Sequence, residues 1–189
     1  IAGTSNPVDG ATSHGGVARN VAENLARLGT AVTFVSVLGE DEAGKELRRN
    51  LAALGVDVSG ILVVPEKPTA EYVAVLDPQN ELALGLASMA IFEMLDAPRL
   101  EKALAQPHAD WVFVDCNPPA ETLAWLIALA RQERFRLAVD TVSTPKARRL
   151  PRDLAGVAVL FTNLDEARAL LDDDAIDKKR AAMLLQARG

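Results

Sequence analysis

The chain has one cysteine, Cys116, and two histidines, His14 and His108, among 189 residues. A single thiol excludes an internal disulfide framework and a cysteine-built zinc site. The histidines stand far apart, without the spacing of a ligand pair, and read as loop or surface residues. Aromatic residues make up only 4% of the chain, too few for a platform on which nucleic-acid bases stack. Basic side chains number 20 against 26 acidic ones, and the net charge of −6 opposes binding to a phosphate backbone. No uninterrupted apolar run approaches the roughly 20 residues that cross a bilayer. Neither nucleic acid nor membrane is therefore expected as a partner. With no leader pattern in view, the expected location is the cytoplasm. Hydrophobic residues reach 49%, enough to bury a full core. The chain begins at Ile1 and stops at Gly189 directly after a helical run, and it reads as a piece of something longer.

What is present is an alternating pattern. Apolar spacing predicts a helix over 16–28, an extended segment over 31–38, and a second helix over 41–54 with Asp41 as its N-cap. Extended runs at 61–64, 69–76 and 82–87 follow, and Asp77-Pro78-Gln79-Asn80 between the last two predicts a hairpin. Strands at 111–115, 136–140 and 157–162 then alternate with helices at 119–131, 145–150 and 164–171, and a last helix covers 175–186. This order predicts one α/β domain, a doubly wound and mainly parallel sheet with helices on both faces. Ligands of such sheets collect at the carboxyl ends of the strands, where Asp115, Cys116, Asn117, Asp140, Thr141, Asn163 and Glu166 stand. Residues 1–14 and about 60–88 are the stretches expected to form a small β lid.

Several motifs are excluded on inspection. Gly39-Glu40-Asp41-Glu42-Ala43-Gly44-Lys45-Glu46 has the Gly and Lys spacing of a phosphate loop, but Glu46 stands where magnesium needs a hydroxyl. Its acidic residues suit a capped strand-to-helix turn instead. No G-x-G-x-x-G follows a strand and no G-x-S-x-G elbow occurs, which disfavours dinucleotide and hydrolase chemistry. Cys116 follows a strand without a histidine to activate it and reads as a small buried filler. Lys146, at a strand-end helix, reads equally as a phosphate neighbour or a surface lysine. More telling is Ser13-His14-Gly15-Gly16-Val17-Ala18-Arg19-Asn20: a glycine pair at a helix start admits a ligand to the backbone and leaves first-turn amides free. Asn20, one turn in, offers a donor and an acceptor to sugar hydroxyls.

The run from Gly15 to Gly29 resembles the first signature of the ribokinase-like (PfkB) sugar and nucleoside kinases. Val35-Ser36-Val37-Leu38-Gly39-Glu40-Asp41-Glu42-Ala43-Gly44, Leu54-Gly55-Val56-Asp57, Pro68-Thr69 and Asn163-Leu164-Asp165-Glu166-Ala167 continue the resemblance in order along the chain. Gly3-Thr4-Ser5-Asn6-Pro7, Ala87-Ser88-Met89-Ala90-Ile91 and Asp140-Thr141-Val142-Ser143-Thr144-Pro145-Lys146-Ala147 are similar to the pseudouridine kinase branch, with Ser88 where that branch carries Asp.

The resemblance implies a ribokinase-like fold and ATP-dependent transfer of a phosphoryl group to a primary hydroxyl, the 5′-hydroxyl of pseudouridine being the expected acceptor. Other sugar kinases of the family, or a non-catalytic ribose or nucleoside binder, are the alternatives. By resemblance, Gly15, Gly16 and Asn20 bind the sugar, and Asn163, Glu166 and Lys146 lie at the ATP phosphates. Glu166 would serve magnesium through water. The lid would cover the sugar and could join two copies. The family's G-A-G-D segment, with its catalytic Asp, does not occur in these residues, so no catalytic base is assigned here and the 189 residues alone are expected to be inactive.

Overall fold

The computed structural model describes residues 10–104 and 109–189. Helix α1 (Val17–Arg27) leads through an extended stretch, bridged at Thr33 to Asp57, into strand β1 (Ser36–Gly39). Helix α2 (Glu42–Ala53) follows, and Asp41 caps it by accepting the Gly44 N–H at 2.9 Å. Strand β2 (Ile61–Val64) then pairs in parallel with β1. These elements enclose Ala22, Phe34, Leu38, Leu51, Val56 and Ile61.

Strands β3 (Glu71–Leu76) and β4 (Leu82–Ser88) form an antiparallel ribbon around the 77–80 turn. Ile61–Val64 therefore lies outside the hairpin block with which it was grouped on sequence: its apolar run is drawn to β1, and the ribbon proper is β3 and β4. Residues 1–9, also expected in the lid, lie outside the described residues.

A 3₁₀ turn (Ala90–Met94) and helix α3 (Ala97–Leu104) come next, neither of them assigned from the sequence. Ile91, Leu95 and Leu100 bury against Val37, Val64 and Leu126, joining the first half of the chain to the second.

The second half is a three-stranded parallel sheet, β5 (Trp111–Asp115), β6 (Arg136–Asp140) and β7 (Val157–Phe161), in that order. It alternates with α4 (Ala120–Ala130), α5 (Thr144–Ala147), α6 (Leu164–Leu171) and α7 (Lys178–Gln186). Leu137 and Val139 of β6 pack with Leu123, Ile127, Ala167, Leu170, Ile176 and Leu185 into one core. Side chains alternate across a strand, so Trp111, Phe113, Val159 and Phe161 project to the opposite face. There Trp111, Val159 and Phe161 are exposed. Among the described residues no helix is long and apolar enough to cross a membrane.

Candidate active site

Helix α1 opens on Gly15-Gly16, and Gly16 sits at φ 96°, a left-handed conformation that suits glycine. The expectation that the first-turn amides stay free fails at one of them. Ala18 N–H donates to Asp115 Oδ2 at 3.1 Å, across 97 positions of sequence. A carboxylate is favoured there by the positive end of the helix. The other oxygen, Asp115 Oδ1, accepts the Asn117 N–H at 3.1 Å.

Arg19 grips the same turn from the helix side. Although buried, its guanidinium donates to Gly15 O and to His14 O, each at 2.9 Å. It also pairs with Glu23. Asn20 is exposed, and its amide oxygen meets the Arg19 guanidinium. His14 is a loop residue 3.6 Å from Glu46, and His108 lies outside the described residues.

Strands β5, β6 and β7 end side by side, with Asp115, Asp140 and Phe161 in one cross-strand row. At about 4.8 Å per strand spacing, the row is about 10 Å wide. Just past β6, buried Thr141 donates its hydroxyl to Glu166 Oε2 at 2.5 Å. Glu166 also accepts Asn163 N–H at 3.1 Å and Asn163 Nδ2 at 2.8 Å, while its own amide donates to Asn163 Oδ1 at 2.9 Å. These reciprocal bonds are a capping box that starts α6.

Asp140, Leu160, Phe161, Thr162, Asn163 and Glu166 line an open groove of about 510 Å³. Burial holds the Asp140 carboxyl above its ordinary value, offset in part by the Val142 N–H at 2.8 Å. The negative fields of Glu166 and Asp115 push it in the same direction as burial.

Lys146 is half-buried rather than a plain surface lysine. Its ammonium donates to Asn117 Oδ1 and stands 3.3 Å from Met89 Sδ, just past the end of β4. Burial lowers its pKa; Asp115 draws it back up, Arg149 lowers it, and Cys116 raises it. Arg149 donates to the carbonyls of Asn117 at 2.6 Å and Pro118 at 2.9 Å, and pairs with Glu93 at 3.2 Å. Cys116 is fully buried; burial first, then Asp115 and Asp140, push its thiol to about 12. It is the inert filler expected.

The residues expected at the site fall into two groups. Asn163 and Glu166 share the groove with Asp140, whereas Gly15, Gly16 and Asn20 stand at the start of α1, which Ala18 ties to Asp115 at the end of β5. Lys146 meets Asn117, just past the end of β5. The glycines of the phosphate-loop look-alike serve packing: a Cβ on Gly44 would lie 2.6 Å from Gly39 O and 2.7 Å from Thr69 Oγ1. Sequence reading missed the parts played by Arg19, Arg149 and Met89. It also missed that the Asn163-x-x-Glu166 spacing is a capping-box pattern, which was there to be read.

A parallel α/β sheet with polar residues gathered at its strand ends, near a glycine turn, places the chain in the open-sheet α/β class. Residues 3–189 match the pfkB family of carbohydrate kinases, and the chain belongs to that family. It is 36% identical over 160 residues to the uncharacterized sugar kinase YeiI of Escherichia coli, covering 84% of this chain and 43% of that protein. It is 32% identical over 167 residues to the pseudouridine kinase of the same organism, covering 88% of this chain and 53% of that protein. Among solved structures, a carbohydrate kinase from Agrobacterium tumefaciens superposes with a TM-score of 0.82 at 28% identity, over 100% of this chain and 61% of that one. Ribokinase from Cryptococcus neoformans, solved in complex with ADP, shares the fold at a TM-score of 0.71 and 20% identity, over 100% of this chain and 60% of that one. The chain spans about half the length of the curated relatives it matches.

Proposed function

We propose that the protein carrying this chain transfers the γ-phosphoryl group of ATP to the 5′-hydroxyl of a nucleoside, with pseudouridine as the acceptor. The observation that supports this reading best is the fixing of the Gly15-Gly16 turn to the strand ends where Lys146, Asn163 and Glu166 stand. In this reading Gly15, Gly16 and Asn20 hold the ribose, Asn20 using its exposed amide. Lys146, half-buried and kept close to the strand ends by Asn117, faces the phosphates as a point charge. The residue that accepts the alcohol proton is assigned to none of these 189 residues.

The groove suits a nucleotide accompanied by magnesium, because its polar lining is oxygen-rich and magnesium favours hard oxygen donors with several waters retained. In this reading an ion in the groove is held through its own waters. Glu166 has three of its acceptor positions taken by Thr141 and Asn163, which leaves it one to offer a metal-bound water. Magnesium, when bound, neutralises charge on the phosphate oxygens. The β3–β4 ribbon covers the acceptor and excludes water, and its second apolar face joins a second copy. The cytoplasm is the location that fits this activity.

A second reading, phosphorylation of a free or phosphorylated sugar, is favoured by Ser88. It stands exposed at the end of β4 where the pseudouridine branch carries Asp. A relative from Halopiger xanaduensis named ATP-dependent ribose-1-phosphate kinase is 33% identical over 167 residues.

The deciding experiment is ADP release by the full-length protein with ATP, magnesium and a panel of pseudouridine, uridine, adenosine, ribose and ribose 1-phosphate. Turnover on pseudouridine that is lost in Asn20→Ala supports the first reading. Turnover confined to a sugar selects the second. Silence across the panel from a folded full-length protein moves a non-catalytic binding module ahead of both.

A further inference from the structure

The glycine pair at the start of α1 has little in its own sequence to hold it. Glycines resist no rotation, α1 has no side-chain cap, and its first turn carries no acidic residue. What it lacks locally comes from β5. Asp115 is buried, and both of its oxygens are engaged, Oδ2 by Ala18 N–H and Oδ1 by Asn117 N–H. On the far side Arg19, equally buried, holds the carbonyls of His14 and Gly15. The turn is thereby fixed between a carboxylate that takes an amide and a guanidinium that takes two carbonyls. Asn117 carries the same anchor on to Lys146.

We propose that Asp115 is a positioning residue for the acceptor substrate: it stands in for the missing cap of α1 and locks the Gly15-Gly16 turn to the end of β5. This rests on the sugar-binding role given above to Gly15, Gly16 and Asn20. Recognition of neighbouring hydroxyls by a backbone turn requires placement within a fraction of an ångström, and two adjacent glycines do not supply it alone. Asp115 acts through the turn and not through contact with the reacting atoms.

The test compares full-length Asp115→Ala and Asp115→Asn with the unaltered protein. Asp115→Ala is expected to raise the acceptor KM about tenfold or more while kcat moves less than about threefold and the ATP KM holds. Asp115→Asn keeps an oxygen for the Ala18 N–H and is expected to recover most of the loss. Without any substrate, amide exchange at Ala18 is expected to quicken about tenfold in Asp115→Ala, with the later turns of α1 unchanged. If the alanine variant does not fold, Asp115→Ser takes its place. An unchanged acceptor KM, equal impairment of both variants, or unchanged exchange at Ala18 overturns the proposal. If the unaltered protein phosphorylates no acceptor, the kinase reading falls, and exchange at Ala18 alone decides whether Asp115 anchors the turn.

Discussion

Thr141 and Glu166, on neighbouring units of the sheet, are joined by a 2.5 Å hydrogen bond from hydroxyl to carboxylate. The bond ties the end of β6 to the first turn of α6, so the side chain offered to the groove is also the one that starts a helix. Thr141→Val keeps the shape and removes the donor. It is expected to lower unfolding free energy by about 2 kcal/mol, the size of a buried hydrogen bond to a charged group. Asn163→Ala, which removes the cap, is expected to cost about 1 kcal/mol. Urea unfolding of both variants checks the pair, and equality with the unaltered protein would refute the linkage.

Asp41 is one of the carboxyls that make the first half sensitive to acid. Hydrogen bonds from the Thr69 hydroxyl and N–H and from the Gly44 N–H hold its carboxyl below the ordinary 3.8. A carboxyl lowered on folding stabilises the protein above its unfolded value and loses that contribution as pH falls through the folded one. Asp41→Asn is therefore expected to destabilise at neutral pH and to narrow its gap from the unaltered protein below pH 3.8, read from melting temperatures across acid pH. Gly44→Ala is expected to cost about 1–3 kcal/mol through overpacking against Gly39 O and Thr69 Oγ1.

Cys116 is closed to reagents. With the thiol buried and pushed up to about 12, a thiol-exchange reagent at neutral pH is expected to find no reactive group until denaturant is added. Cys116→Ala is expected to leave phosphorylation intact, and prompt native labelling would contradict the burial.

Lys146 gives the same direction of pH dependence as Asp41, but at the alkaline end of the range. Burial lowers its pKa from 10.5, against the pull of Asp115 and Cys116 and with the push of Arg149. The unfolded chain then keeps the proton to higher pH than the folded one, so stability rises with pH between the lowered value and 10.5. The unaltered protein is expected to gain on Lys146→Met as alkaline melts approach that limit. In turnover assays Lys146→Met is expected to raise the ATP KM, and Asp115→Asn to move the alkaline limb to lower pH.

The β3–β4 ribbon is exposed on both faces, with Val73, Val75, Leu84 and Leu86 on one side and Tyr72, Leu76 and Leu82 on the other. A two-stranded ribbon is marginal alone, so a second copy is the expected cover for one face. Val75→Asp with Leu84→Asp is expected to turn a dimer into a monomer in analytical ultracentrifugation. A monomeric unaltered protein at micromolar concentration would refute it.

Much of the fold was legible because local signals agree with it. The spans 111–115, 136–140 and 164–171 coincide with β5, β6 and α6. Apolar runs define the strands, and Asn163 and Asp41 mark helix starts through short-range bonds. The 90–104 segment was left unassigned on sequence although Leu100 and Leu104 stand one helical turn apart, and Ile91, Leu95 and Leu100 are drawn inward by partners in β1, β2 and α4. The same limit applies to the site. Asn163 and Glu166 lie three positions apart and announce themselves, whereas the bond from Ala18 to Asp115 has no local trace. Nothing near Lys146 signals that its ammonium meets Asn117 and Met89.

The Ala18–Asp115 bond also orders events in time. Its partners are 97 positions apart, so it cannot form until the intervening chain has been laid down. Closing so long a loop costs entropy before any contact repays it. Helix α1 and the β1–α2–β2 unit can gather early on near-neighbour contacts, but the glycine turn acquires its final shape only when β5 arrives. A nascent chain released before β5 emerges would carry the whole glycine signature and still lack the anchored turn.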